Sequence, residues 1–286
     1  MSKPLDILFV ASEVEPFAKT GSVAELAAAL PKLVKSMGHE IRVMLPGYGF
    51  INERRNHLHR LLRMKDIPIP MGSGSELAYV KSSYLATDNK KVQVYFVSND
   101  KYFNRVGLYS HPETKQYFPD NDERFIFFCR GILETLKRLG WQPKIIHCND
   151  WQCGLIPVYL KTVYKNDPYF KNIKTIFTAY NLAYHGSFPS TSIEKTGLPP
   201  KIFTADGSKT GKLDFLRAGL EYADVITTVG PKADKKFSTE EGLMDLFKQQ
   251  KKSIISLPSP SANGGKHEQL AEKFVSIYSD LAKTSK

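Results

Sequence analysis

The chain lacks the features that mark several classes of protein. It has only three cysteines in 286 residues, Cys129, Cys148 and Cys153. An odd number at those spacings makes no disulfide framework and points to reduced thiols. Cys148 and Cys153 have no second His/Cys pair close by, so no zinc site is expected. Glycine and proline, 19 and 17 residues, are too few for a collagen-like or linker-like chain. No apolar run approaches the roughly 18 residues of a membrane helix. Met1-Ser2-Lys3-Pro4 does not open a secretory signal, which needs a longer apolar core and a small-residue cleavage site. The expectation is a cytoplasmic protein without a membrane partner. Acidic residues are outnumbered 29 to 40 by lysine and arginine, a formal charge of +11. The excess is scattered in pairs such as Arg54-Arg55, Lys90-Lys91, Lys235-Lys236 and Lys251-Lys252. No basic run of five and no nucleic-acid module accompanies it, so a solvated basic surface is expected and nucleic acid is not an expected partner.

What is present is an ordinary globular composition, 42% hydrophobic and 24% charged. The length suits about two domains, or one large α/β domain with additions. Leu5 to Ala11 reads as a strand. Val23, Leu26, Ala27, Leu30, Val34 and Met37 then recur at three- and four-residue steps, one face of a helix, with Gly38 where a C-terminal cap often sits. Ile41 to Leu45 is a second strand, stopped by Pro46-Gly47. A strand, helix and strand within some forty residues form a βαβ unit and predict a parallel sheet. The rhythm repeats through strands at 92–97, 145–148, 174–178 and 225–229 and helices at 122–139, 152–164 and 212–223. The expected fold is therefore α/β, a Rossmann-like doubly wound, mostly parallel sheet whose ligand crevice lies at the carboxyl ends of its strands. Residues 50–91 break the rhythm and read as hairpins or a long loop. Residues 1–256 are taken as the domain, 257–266 as a Pro/Gly/Ser-rich linker, and 267–284 as an amphipathic helix. Its face of Leu270, Phe274, Ile277, Tyr278 and Leu281 must pack on something, most simply back on the domain.

Three strand-to-helix segments carry candidate chemistry. In Lys19-Thr20-Gly21-Ser22-Val23-Ala24-Glu25, a glycine turn before a helix offers backbone N–H groups to an anion, with Lys19 as an added charge. Equally, Ser22 and Glu25 have the spacing of a capping box, the bland and favoured reading of the spacing. In the 145–155 segment, Asp150 can accept hydrogen bonds from sugar hydroxyls and Trp151 can offer an apolar platform. Alternatively, Asn149 or Asp150 caps the next helix and His147 sits in the core. Around Tyr180, Asn181 and His185, polar groups again follow a strand; the alternative is a loop whose Asn takes a turn conformation.

These segments, in this order, resemble the N-terminal catalytic half of bacterial glycogen synthases and plant starch synthases. The resemblance runs from Lys19-Thr20-Gly21-Ser22 through Tyr102 to Tyr109, Asp120 to Phe125, His147 to Leu155, Thr178 to Gly186 and Tyr222 to Thr228, roughly residues 5–245. It implies one half of a GT-B glycosyltransferase, whose two Rossmann-like domains enclose the active site. The implied reaction moves glucose from ADP-glucose, the substrate, to the end of an α-1,4-glucan such as glycogen, with retention and with neither metal nor cofactor. By the same resemblance Lys19, Gly21 and Ser22 bind the donor. Asp150, Asn181 and Tyr180 take the catalytic positions, and Asp120, Asn121, Trp151 and His185 face the acceptor. The sequence departs from the family in four ways. Ser22 replaces a glycine, Glu25 an aspartate and Tyr180 a histidine. The family's second domain, which supplies an Arg and a Lys to the leaving diphosphate, is missing, and 267–283 takes the place of the terminal helix that returns to the first domain. The expectation is a glucosyltransferase domain that is weak or incomplete unless a separate chain or second copy completes the cleft. The alternatives are a non-catalytic glucan-binding or regulatory protein of glycogen metabolism and, third, a charge-driven binder of nucleotide phosphate or nucleic acid.

Overall fold

The computed structural model describes residues 3–87, 90–182, 184–204, 211–229, 254–257 and 265–284. Its centre is a run of strands too apolar to face water on either side. β1 (Asp6–Val10) pairs in parallel with β2 (Glu40–Pro46) on one flank. α1 (Ser22–Ser36) makes the crossover, with Ala24, Leu26, Ala27, Leu30 and Val34 buried. The helix stops where expected, since Gly38 takes φ +94, a conformation that costs a glycine little. The segment after β2 forms β3 (His59–Arg60), β4 (Ile67–Met71) and β5 (Gly74–Ala86), so the irregular stretch is largely a hairpin, with β5 antiparallel to β6 (Lys91–Ser98).

Beyond the short helix α2 (Asp100–Phe103), α3 (Asn121–Leu139) leads back to β7 (Ile145–Asn149), which pairs with the other flank of β1. A 3₁₀ turn at Trp151–Cys153 precedes α4 (Leu155–Lys161), so the predicted 152–164 helix is divided and shorter. Next come β8 (Lys174–Ala179), β9 (Ser187–Phe188), the one-turn helices α5 (Ser192–Lys195) and α6 (Lys201–Thr204), β10 (Leu213–Asp214), α7 (Phe215–Tyr222) and β11 (Val225–Val229). A strand the periodicity does not reveal, β12 (Ile254–Leu257), pairs with β11. The sheet order is β12-β11-β8-β7-β1-β2-β6-β5-β3, parallel from β12 to β6. The order reverses at β1, which places a crevice at the carboxyl ends of β1 and β7.

α8 (Gly265–Lys283) packs on α1. Leu257 belongs to β12 and Gly265 already to α8; the rest of the predicted linker, 258–264, lies outside the described residues. Leu270, Ala271, Phe274 and Tyr278 are fully buried. The Phe274 ring lies 4.8 Å from that of His147 on β7, and Tyr278 Oη is 2.7 Å from His147 Nδ1. His147 Nε2 meets Thr178 Oγ1 at 2.6 Å, and Thr178 meets Thr227 Oγ1 at 2.6 Å. His147 is thus a core residue. Burial pushes its pKa down to about 3, because a charged ring would lose water without gaining a counter-ion. Among the described residues no helix is long and apolar enough to cross a membrane, and the three cysteines are buried and free.

The anchoring of α8 generates a first expectation. Phe274→Ala should cost about 3–5 kcal/mol, as for other buried phenylalanines. Tyr278→Phe should cost about 1–3 kcal/mol by leaving His147 Nδ1 without its partner. Urea unfolding with hydrogen exchange on α8 measures both, and wild-type stability in both variants would refute the anchor. Since the folded pKa of His147 is below its unfolded value, its contribution is complete above about pH 6.5 and is lost as pH falls toward 3.

Candidate functional site

The segment leaving β1, Ala11-Ser12-Glu13, meets the ends of β7 and β8 around a cavity of about 300 Å³. Its walls are Glu13, Tyr109, Tyr117, Asp150, Trp151, Gln152, Asn181 and Tyr184. Of the residues singled out in the sequence, the fold therefore brings together Asp150, Trp151 and Asn181.

Asp150 directly follows β7 and has φ +63 with ψ 174, a conformation in which a residue with a Cβ is strained. Neighbours hold it there from both sides. Its N–H donates to the Thr178 carbonyl at 2.8 Å, and its carboxylate accepts the Trp151 N–H at 2.9 Å. Burial pushes its pKa up to about 7, the Trp151 N–H opposes the rise and the charge of Glu13 adds to it. Asp150 is thereby poised between hydrogen-bond acceptor and donor near neutrality.

Trp151 is only 4% exposed. Its ring is enclosed by Tyr109, Phe125, Tyr184, Phe188 and Phe215, with centroids 5.0–6.3 Å away. Gly186 lies so close that a Cβ there would stand 2.1 Å from the indole, so its glycine serves this packing as well as its φ of +60. The open aromatic surface belongs instead to Tyr117 and Tyr184, stacked with centroids 5.5 Å apart and planes at 22°. Tyr117 is 59% exposed.

The remaining sequence-selected residues surround this cavity without lining it. The capping box is not formed. α1 begins at Ser22 with Gly21 as its cap residue and no side-chain cap, one position too early for Ser22 to close the box. Glu25 pairs instead with Lys19 at 2.6 Å, and Glu15 approaches the same ammonium at 3.3 Å. Both carboxylates hold the Lys19 pKa above its ordinary value. A Cβ at Gly21 would meet open space. Asp120 is held by Arg105 in a two-pronged pair at 2.8 and 2.9 Å. Asn121 is buried, donating to the Tyr109 carbonyl and accepting from Arg124. His185 lies 2.9 Å from the Asp214 carboxylate and 2.8 Å from the Leu182 carbonyl, tying its loop to the start of α7. Tyr180 donates to Asn149 Oδ1 at 2.9 Å, and burial raises its phenol well above the usual range. Asn149 in turn donates to the Val10 carbonyl, bracing β7 against β1.

Sequence reasoning missed Glu13, Tyr109, Tyr117, Gln152 and Tyr184 as wall residues. Tyr109 and Tyr117 come from the loop before α3, and no spacing in the sequence announces that they converge on the end of β1. Glu13 carried a usable signal, a carboxylate directly beyond an apolar strand, in Val10-Ala11-Ser12-Glu13-Val14.

The elevated Asp150 pKa gives a second expectation. Its carbon resonance should titrate with a midpoint near 7, and a midpoint near 4 would refute the burial. The folded form holds a proton that the unfolded chain releases between about pH 4 and 7, so this group's stability contribution falls as pH rises through that window. Asp150→Asn should therefore gain on wild type in urea midpoint between pH 4 and 8.

Comparison with known proteins agrees with this architecture. Residues 6–249 match the family model of the starch synthase catalytic domain. The chain is 39% identical over 250 residues to a glycogen synthase of Desulforudis audaxviator, covering 84% of this chain and 47% of that protein. It is 41% identical over 222 residues to a glycogen synthase of Chlorobium luteolum, covering 78% and 45%. The chain thus spans about half the length of these relatives. The catalytic domain of starch synthase IV from Arabidopsis thaliana, bound to ADP and acarbose, shares the fold with a TM-score of 0.76 at 24% identity, over 90% of this chain and 52% of that one. With 6–249 matched and the GT-B type of sheet in place, the chain belongs to the starch synthase catalytic domain family.

Proposed function

We propose that this chain forms one wall of an ADP-glucose-dependent glucosyltransferase site, which passes glucose to the end of an α-1,4-glucan with retention and without a metal or cofactor. The observation that carries the reading is the cavity at the ends of β1 and β7, where Asp150 and Asn181 stand beside a stacked tyrosine pair. Such a wall suits a sugar. The tyrosine faces cover its C–H surface, and a carboxyl and an amide exchange hydrogen bonds with its hydroxyls. The family membership and the ADP and acarbose bound to starch synthase IV support the same ligand classes.

The donor side is assigned to the Lys19-Thr20-Gly21 turn. Lys19 must first exchange its glutamates for phosphate, a small barrier because all three groups are well exposed and such surface pairs are weak. Ser22 narrows the approach compared with a second glycine. Asp120 and Asn121 act on the acceptor side indirectly, by fixing Arg105, Arg124 and the Tyr109 carbonyl. His185 keeps the loop that carries Tyr184. In this reading the facing wall, with cations for the leaving diphosphate, comes from sequence beyond this chain, a separate chain or a second copy. Such cations stabilise charge as it develops in the transition state, often the largest catalytic contribution.

Tyr180 favours a second reading, a glucan-binding or regulatory module that performs no transfer. Its phenol is committed to Asn149 and cannot become a cation near neutral pH as a histidine can.

Two measurements test these readings. The purified chain should co-sediment with glycogen, and Asp150→Ala should weaken that retention at least tenfold; unchanged retention would remove the cavity from the proposal. Transfer of radiolabelled glucose from ADP-glucose to glycogen should be slow and should rise at least tenfold in Tyr180→His. A wild-type rate that the histidine does not improve would overturn the role given to Tyr180, and transfer by the wild-type chain would exclude the non-catalytic reading.

A further inference from the structure

Glu13 is 9% exposed and, among the described residues, no lysine, arginine or histidine forms an ion pair with it. A buried carboxylate is costly unless its oxygens are satisfied, and here three hydrogens from two distant segments do so. Thr20 donates both its backbone N–H, to Oε2, and its hydroxyl, which lies 2.8 Å from each carboxylate oxygen. Tyr109 donates its phenol hydrogen to Oε1 at 2.7 Å. With that hydrogen used, Ser12 Oγ is the donor in its 2.7 Å contact with Tyr109 Oη. The backbone of Ser12 is itself held by the Tyr48 hydroxyl, which donates to its carbonyl at 3.0 Å.

Thr20 lies between Lys19 and Gly21, in the turn assigned above to the donor, whereas Tyr109 and Tyr117 share the loop before α3 and line the cavity. One carboxylate therefore ties both the turn and the loop to the segment that leaves β1. Hydrogen bonds to a carboxylate are shorter and stronger than those between neutral groups, so this junction sets positions that weak surface pairs such as Lys19–Glu25 do not. The Thr20 N–H is also fully used, which leaves any anion in the turn to the neighbouring backbone N–H groups and Lys19.

We propose that Glu13 is the positioning residue of this site, fixing the Lys19–Gly21 turn through Thr20 and the loop before α3 through Tyr109. It acts on the ligand through those two residues. The consequence for binding rests on the function proposed above; the consequence for the turn does not. Glu13→Gln keeps the size of the side chain but replaces one acceptor oxygen with an amide NH2 group that opposes donors already present. Thr20→Val removes one hydroxyl and keeps the shape, with little risk to folding.

The test uses the full chain, with ADP and maltoheptaose as probes. In wild type the Thr20 amide should be protected from hydrogen exchange although it lies in a surface turn. In Glu13→Gln its exchange should accelerate at least tenfold while β1, β2 and β7 remain protected. ADP affinity should fall at least tenfold in Glu13→Gln and more modestly in Thr20→Val, whereas maltoheptaose affinity should change less. Unchanged Thr20 exchange in Glu13→Gln would overturn the proposal, as would unchanged ADP affinity in both variants of a wild type that binds ADP. If wild type binds neither probe, the functional reading fails, and Thr20 exchange still decides whether Glu13 holds the turn. If Glu13→Gln loses protection throughout the sheet, Thr20→Val decides: unchanged ADP affinity, or in the absence of binding an unchanged Lys19–Gly21 exchange pattern, refutes positioning.

Discussion

The pairing of β1 with β7 is the constraint on which the rest of this molecule depends. β1 is flanked in parallel on both sides, by β2 and by β7, and the connections from β1 to β2 and from β7 to β8 run in opposite directions across the sheet. No crossover helix can cover the strand ends at such a reversal, so a hollow remains there. Asn149 reinforces the junction by donating across it to Val10 and accepting from Tyr180. Asp150 is the next residue, and its left-handed backbone turns the chain out of the sheet directly at the hollow. Strain at that position is sustained because the Thr178 carbonyl and the Trp151 N–H hold it.

Around that hollow the polar groups divide by solvent access. At the surface, Lys19, Glu15 and Glu25 form a loose cluster that water screens. Inside, Glu13 and Asp150 share a cavity wall with very different surroundings. Glu13 accepts from three donors, whereas the carboxylate of Asp150 accepts one backbone N–H. Two carboxyl groups of one site thus differ in the hydrogen-bond partners their neighbours supply.

The far end of the chain enters the same framework. Phe274 and Tyr278 reach His147 on β7, two residues before Asn149, the tyrosine across 131 positions of sequence. The line Tyr278–His147–Thr178–Thr227 crosses the three adjacent strands β7, β8 and β11. α8 therefore braces the strands whose tips carry the site. Each member of this line is buried and paired, the condition under which polar groups in a core specify one arrangement rather than weaken it.

Periodicity made the α/β alternation, the parallel sheet and the amphipathic terminal helix legible, because burial imposes a period of two or 3.6 on the residues themselves. The position of Asp150, Trp151 and Asn181 at strand ends followed from the same pattern. Neighbourhood across space did not. Ser22 and Glu25 have the spacing of a capping box, yet the helix begins one residue too early and Glu25 turns to Lys19. Trp151 has the look of a platform, yet Phe125, Phe188 and Phe215 close around it and leave Tyr117 and Tyr184 as the open faces. Glu13, 96 positions from Tyr109, acquires its role only where two loops meet. The sequence by itself determined which segments become strands and helices, since local spacing and burial decide that. Tertiary structure alone decided which side chains share a cavity and that the pKa of Asp150 rises, because hydrogen-bond partners and the loss of water are properties of the folded neighbourhood.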